Sequence, residues 1–234
     1  MGDAQKQKIT IAENGPYLIS GGIALGIETI VPASDKAGAS WEWEAGRALE
    51  VKERYALCRC GASSSKPFCD GTHAKIEWDG SETATHSPFE RQAKTYAGPQ
   101  LDLLDAEALC GFARFCDNGD KIWSDIERSD DPAVAKLVVH EETHCPSGRL
   151  VVRKRGEAAI EPDFAPAISL VEDPGKDCSG PLWVKGGIAV ESADGSTYEI
   201  RNRVTLCRCG KSANKPFCDG THVDVAFADG LLAK

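Results

Sequence analysis

The run LCRCGASSSKPFCDGTH, Leu57 to His73, returns later in the chain as LCRCGKSANKPFCDGTH, Leu206 to His222, with fourteen of seventeen positions identical. Each copy spells C-x-C-x8-C-x3-H. Two four-donor sets result: Cys58, Cys60, Cys69 and His73, then Cys207, Cys209, Cys218 and His222. Thiolates are soft ligands that suit zinc, copper(I) and iron–sulfur clusters, and a single imidazole is compatible with each. Two metal centres in one chain are the leading inference.

Outward from these loops the repeat continues. GPYLISGGIAL (Gly15 to Leu25) reappears as GPLWVKGGIAV (Gly180 to Val190). Between these segments and the cysteines, Leu49, Val51, Tyr55 and Leu57 alternate with Glu50, Lys52, Arg54 and Ala56, and Tyr198, Ile200, Val204 and Leu206 alternate with polar neighbours. That is the period of half-buried strands. Each half reads as two or three strands leading into a cysteine loop, with turns at Gly21-Gly22 and Gly186-Gly187. One small hairpin cannot bury its apolar face alone, so the halves are expected to pair in one shared sheet, the chain acting as its own dimer. Extra residues from Asp35 to Ala45 read as a longer loop. In the spacer, LDLLDAEALCGFARFC (Leu101 to Cys116) suggests one helix, and Asp131 before Pro132 a second with a favourable N-cap. A strand is expected at Leu150 to Arg153. The proline-rich stretch EPDFAPAISLVEDPGKDCSGP, which ends at Pro181, reads as an irregular connection.

Zinc knuckles usually pair their cysteines as C-x2-4-C, whereas one residue separates the first two here. The motif resembles the CDGSH iron–sulfur domain, the family of mitoNEET, with signature C-x-C-x2-[ST]-x3-P-x-C-D-G-[SAT]-H. Cys58, Cys60, Ser63, Pro67, Cys69, Asp70, Gly71, Thr72 and His73 fill it once; Cys207, Cys209, Ser212, Pro216, Cys218, Asp219, Gly220, Thr221 and His222 fill it again. The resemblance implies a [2Fe–2S] cluster in each copy, held by three Cys and one His, beneath a β-cap. The expected fold is mainly β with short helices (α+β): an intramolecular pseudo-dimer of two CDGSH halves, residues 1–82 and 156–234, around a small α-rich insertion at 83–155. CGFARFCDNGDKIW and HCPSGRL are similar to a divergent single-cluster ferredoxin-like domain, in which Cys110, Cys116 and Cys145 would be ligands. A [4Fe–4S] site ordinarily wants four thiolates. The simpler reading makes these three, and Cys178, structural thiols.

Local chemistry adds detail. Pro67 and Pro216 stiffen the approach to the third cysteine, and Asp70 and Asp219 suit the cap of a short helix that orients the histidine. Arg59 and Arg208, each between two thiolates, are expected to compensate cluster charge, and Lys211 in place of Ala62 to raise the second potential. With one His ligand, potentials should fall between about −400 mV and the roughly −150 to +300 mV of two-His centres. Protonation of that His should speed cluster loss as pH falls through about 6.5. His86 reads as a surface residue, and the Trp residues at 41, 43, 78, 123 and 183 as packing.

Ten cysteines point to ligands rather than disulfides in a chain read as cytoplasmic. A net charge of −9 argues against nucleic acid. Hydrophobic runs are too short for a membrane span, the first fifteen residues are polar, and Lys6 stands where a myristoylation signal at Gly2 wants a hydroxyl. No acid, base or nucleophile constellation suggests an enzyme. The expected role is one-electron transfer, redox sensing or cluster transfer by a monomer, with a redox protein or an apo-protein acceptor as partner. The alternative is a structural zinc protein or interaction scaffold using the same Cys3His sets.

Overall fold

The computed structural model describes residues 7–231, so the reading at Gly2 and Lys6 lies outside them. The first copy supplies β1 (Lys8–Ile11), β2 (Tyr17–Ser20), β3 (Ala24–Pro32), β4 (Ser40–Leu49) and β5 (Arg54–Leu57). The middle segment supplies β6 (Lys94–Ala97), β7 (Leu101–Asp105) and β8 (Leu150–Lys154), the start of the second half adds β9 (Ala159–Ile160) to the same sheet, and the second copy continues with β10 (Ala167–Asp173), β11 (Cys178–Lys185), β12 (Ala189–Glu191) and β13 (Arg203–Leu206).

The copies exchange strands. One sheet runs β12-β1-β2-β5 and the next β13-β11-β10-β3-β4, so the one takes β12 from the second copy and the other takes β3 and β4 from the first copy. The two seams between the copies are parallel, β12 on β1 (Ile9 with Val190) and β3 on β10 (Leu25 with Ile168). The alternation in KITI buries Ile9 and Ile11 and leaves Lys8 and Thr10 outward. Ile9, Ile11 and Ile19 join Ile168, Leu170 and Leu182 in one core, none of them more than 2% exposed. Burial of such side chains contributes about 1.5–3 kcal/mol each, and neither copy possesses this core alone.

The middle segment forms a third sheet, β6-β7-β8-β9, closed by the helix Pro132–His144. The Asp131 carboxylate accepts from the Ala133 N–H at 2.8 Å, the expected cap. Leu103, Ile122, Ile126, Val138 and Val152 are fully buried between helix and sheet. Arg203 ties this unit to the second copy. It is 1% exposed, pairs with the buried Glu142 and with Glu161 at 3.0 Å, and donates to the Cys145 carbonyl at 3.0 Å.

Four expectations fail. The halves share strands in two sheets rather than in one. Leu101–Asp105 is a strand, not a helix: it lies between β6 and β8 and buries Leu101, Leu103, Leu104 and Asp105, and the spacing of three from Leu101 to Leu104 fits a helical period as well. Left-handed Phe112 and Arg114 break any helix farther on, leaving only short turns. Asp35 to Ala45 is mostly the start of β4, which pairs with β3 through Ile30 and Trp43. The proline-rich connection is largely the antiparallel pair β10–β11, with Pro174 in its turn and Pro181 at a register shift, where a missing N–H is tolerated. Among the described residues no helix is long and apolar enough to cross a membrane.

Candidate metal centres

Each cysteine loop grows from the last strand of its copy. The Cys58 N–H donates to Pro67 O at 2.8 Å and the Cys69 N–H to Ala56 O at 3.0 Å; Cys207 to Pro216 O (2.8 Å) and Cys218 to Thr205 O (2.9 Å) repeat the pattern. Ser63 Oγ donates to Phe68 O and Ser212 Oγ to Phe217 O, both at 2.7 Å. Asp70 accepts from the Thr72 N–H at 3.0 Å and the Ser64 N–H at 2.8 Å, while Asp219 accepts from Thr221 at 3.1 Å and Ala213 at 2.7 Å. Each carboxylate pins the loop and caps the turn carrying the histidine, as expected. Hydrogen bonds from Thr72 and then Ser64 hold the Asp70 carboxyl well below the usual range.

The four donors of each loop come together as two pairs. Cys58 and Cys60 Sγ are 3.7 Å apart, and Cys207 and Cys209 Sγ 3.9 Å. Cys69 Sγ lies 3.4 Å from His73 Nδ1, and Cys218 Sγ 3.4 Å from His222 Nδ1. Two thiolates on one tetrahedral metal at about 2.3 Å stand ~3.8 Å apart, and a thiolate and an imidazole nitrogen ~3.5 Å. Every pair therefore has the spacing of donors that grip one metal ion. Among the described residues no three His, Cys, Asp or Glu side chains converge on a single ion. The donor set fits a centre of two metals, one pair to each. Within the second set the hydrogen bond between Cys207 and Cys209 lowers the Cys207 thiol and raises that of Cys209, burial raises Cys218, and burial draws His222 down to about 4, toward the neutral imidazole.

The arginines bond to protein groups rather than to the donors. Both side chains are buried, with Arg208 also within electrostatic reach of Cys58 in the first loop. Arg59 donates to the carbonyls of Gly15 (2.7 Å), Gly80 (2.7 Å) and Ala12 (3.1 Å) and lies 4.9 Å from the Trp78 ring centroid. Arg208 pairs with Glu172 at 3.0 Å and with Asp229, under the ring of Phe227. The two loops also abut. Trp78 Nε1 donates to Gly210 O at 3.0 Å, and Tyr17 Oη of the first copy to Cys207 O of the second at 2.9 Å. Sequence reasoning assigned no role at the loops to Tyr17, Glu172 or Asp229 and read Trp78 only as packing. The visible signal was that Trp78 and Phe227 stand at the same offset after their histidines.

In the middle segment Cys110, Cys116 and Cys145 line one cavity with Arg114, Pro146 and Arg149. Its volume is about 20 Å³, room for about one water. Three thiols around that space do not complete a four-iron cube. Cys178 is buried apart, its thiol pushed up to about 11 by burial. His86 stacks on Tyr198 at 4.0 Å, outside either loop. Trp43 packs on Trp183 at 4.7 Å, whereas Trp41 is 44% exposed against His140.

A family model described as iron-binding zinc finger, CDGSH type, matches residues 14–74 and 179–223. A second, described as divergent 4Fe-4S mono-cluster, matches residues 96–155. No curated protein and no solved structure matches the chain.

Proposed function

This chain is a tandem CDGSH-type protein with a divergent middle segment, and from that premise we propose that it holds two [2Fe–2S] clusters. Cys58, Cys60, Cys69 and His73 ligate the first, and Cys207, Cys209, Cys218 and His222 the second. The pairing of donors at one-metal spacing carries this reading, since a single zinc ion wants all four within about 3.5–3.8 Å of one another. Bound there, such a cluster supplies one-electron redox chemistry. The protein's own part is to present thiolates and neutral imidazole, to fix the loops through Asp70 and Asp219, and to set the surrounding charge through Arg59 and the Arg208–Glu172–Asp229 group.

The halves, taken as residues 1–82 and 156–234, form an intramolecular pseudo-dimer with a shared β-cap, a reading supported by the placing of β3 and β4 in the second copy's sheet and of β12 in the first's. Residues 83–155 form the ferredoxin-like insertion. The protein works as a non-catalytic carrier or sensor, a monomer in the cytoplasm, exchanging electrons with a redox protein or clusters with an apo-protein. Iron, sulfide and zinc analysis of freshly purified protein tests this. About four irons and four sulfides per chain, with visible absorbance bleached by dithionite, are expected. A colourless protein with two zincs overturns it in favour of a structural scaffold. Iron beyond four per chain assigns the excess to the cavity at Cys110, Cys116 and Cys145. Incubation with an apo-ferredoxin then separates the roles: transfer marks a donor, and retained clusters that cycle with a reductase mark an electron carrier.

A further inference from the structure

The two ligand loops are nearly identical in sequence and unequal in burial. Cys69 and His73 are half-buried, while Cys218 is 2% and His222 3% exposed. The middle segment makes the difference, because it packs on only one of them. A methyl placed on Gly220, beside His222, would lie 3.1 Å from Phe112 Cβ and 3.8 Å from the Cys110 carbonyl; on Gly71, the matching residue of the first loop, it would meet nothing within 4 Å. Asn214, which stands where the first loop has Ser65, donates to Ala108 O at 2.8 Å and ties the second loop to the same segment. Arg114 clamps the covering turn in place. Its guanidinium forks onto the buried carboxylate of Asp173 at 2.6 and 2.9 Å, in the strand pair that also carries Glu172.

We propose that the two centres are functionally unequal: the one at Cys58–His73 is the port at which an acceptor protein takes up a cluster, and the one at Cys207–His222 is retained under the middle segment. This rests on the iron–sulfur reading above. The partner at the port is an apo-protein presenting free cysteine thiols. In each step an acceptor thiol loses its proton and binds iron, while a donor of this chain leaves the iron and takes up a proton. No electron moves, and oxidation states are unchanged. Cys69 and His73 are the donors an incoming thiol can reach. At the second centre Phe112 and the Cys110 backbone stand in the way, so exchange there requires the middle segment to lift.

The test uses the full, oxidised, cluster-loaded chain at one fixed pH with a ferric-iron chelator in excess. Aliquots are alkylated and the labelled cysteines located by peptide mass mapping, while native mass spectrometry follows the clusters. The expected course is an intermediate lacking one [2Fe–2S], with Cys58, Cys60 and Cys69 labelled at least tenfold faster than Cys207, Cys209 and Cys218. Phe112→Ala, and independently Asn214→Ser, should speed labelling of the second set several-fold and leave the first unchanged. Equal rates for both sets, faster labelling of the second, or no response to either variant overturns the inequality. A starting protein with zinc and no sulfide instead overturns the iron–sulfur reading, so the two failures are distinguishable.

Discussion

Replacing Gly61 by alanine probes the contact on which the two centres are built. Gly61 has φ +76°, and a methyl there would stand 2.4 Å from the carbonyl oxygen of Cys209 in the opposite loop. Gly210 mirrors this, its methyl falling 2.3 Å from Cys60 O. A left-handed non-glycine residue costs about 1–2 kcal/mol. Overpacking against atoms that cannot swing aside adds about 1–3 kcal/mol, and here the obstacle is backbone on both sides. The sum, about 2–5 kcal/mol, corresponds to a fall in Tm of roughly 4–20 °C for a chain of this length. Gly38→Ala separates the contributions, because Gly38 has φ +87° with nothing within 4 Å of the added methyl. It should cost only the about 1–2 kcal/mol of the backbone term. Thermal unfolding of parent, Gly61→Ala and Gly38→Ala, at matched metal content, reads the difference directly. Equal losses in the two variants would refute the back-to-back packing of the loops.

Arg203→Met should destabilise by about 3–5 kcal/mol, because it strands the buried Glu142 without its partner. Adding Glu142→Leu should recover most of that in urea unfolding, and no recovery would deny the pair its place at the junction. Glu141 is fully buried with both carboxylate oxygens unpartnered, and burial, aided by Asp125, pushes it up to about 9. The folded state then holds a proton that the unfolded chain releases near pH 4.5, so stability should fall as pH rises from there toward 9. Glu141→Gln should flatten that slope in Tm measured across pH, and an unchanged slope would assign it elsewhere. Glu172→Gln should leave Arg208 less neutralised and raise the second centre's potential by about tens of millivolts, seen in a redox titration of parent and variant.

The ligand loops were legible because Cys58 to His73, with the serine, proline and aspartate that shape them, form one short segment read without tertiary information. The helix at Pro132 was equally local, since Asp131 and Pro132 mark its start by themselves. Strand exchange was not legible. A period of two says that Ile9 faces a core, but nothing in KITI says that its neighbour is Val190 from the far end of the chain. The same limit hid the arginine partners: Arg208 draws Glu172 from β10 and Asp229 from beyond the second loop, and only the fold brings them together. Leu101–Asp105 was misread for a different reason, since the spacing of three from Leu101 to Leu104 fits a helical period as well.

That each centre holds two metal ions, one to each donor pair, is tested most directly by Mössbauer spectroscopy of the oxidised protein loaded with ⁵⁷Fe. Two quadrupole doublets of equal area in a diamagnetic centre are predicted, one for iron held by two cysteines and one for iron held by cysteine and histidine, with the histidine-bound doublet changed in His73→Cys. A single paramagnetic iron site bound by all four donors would contradict it.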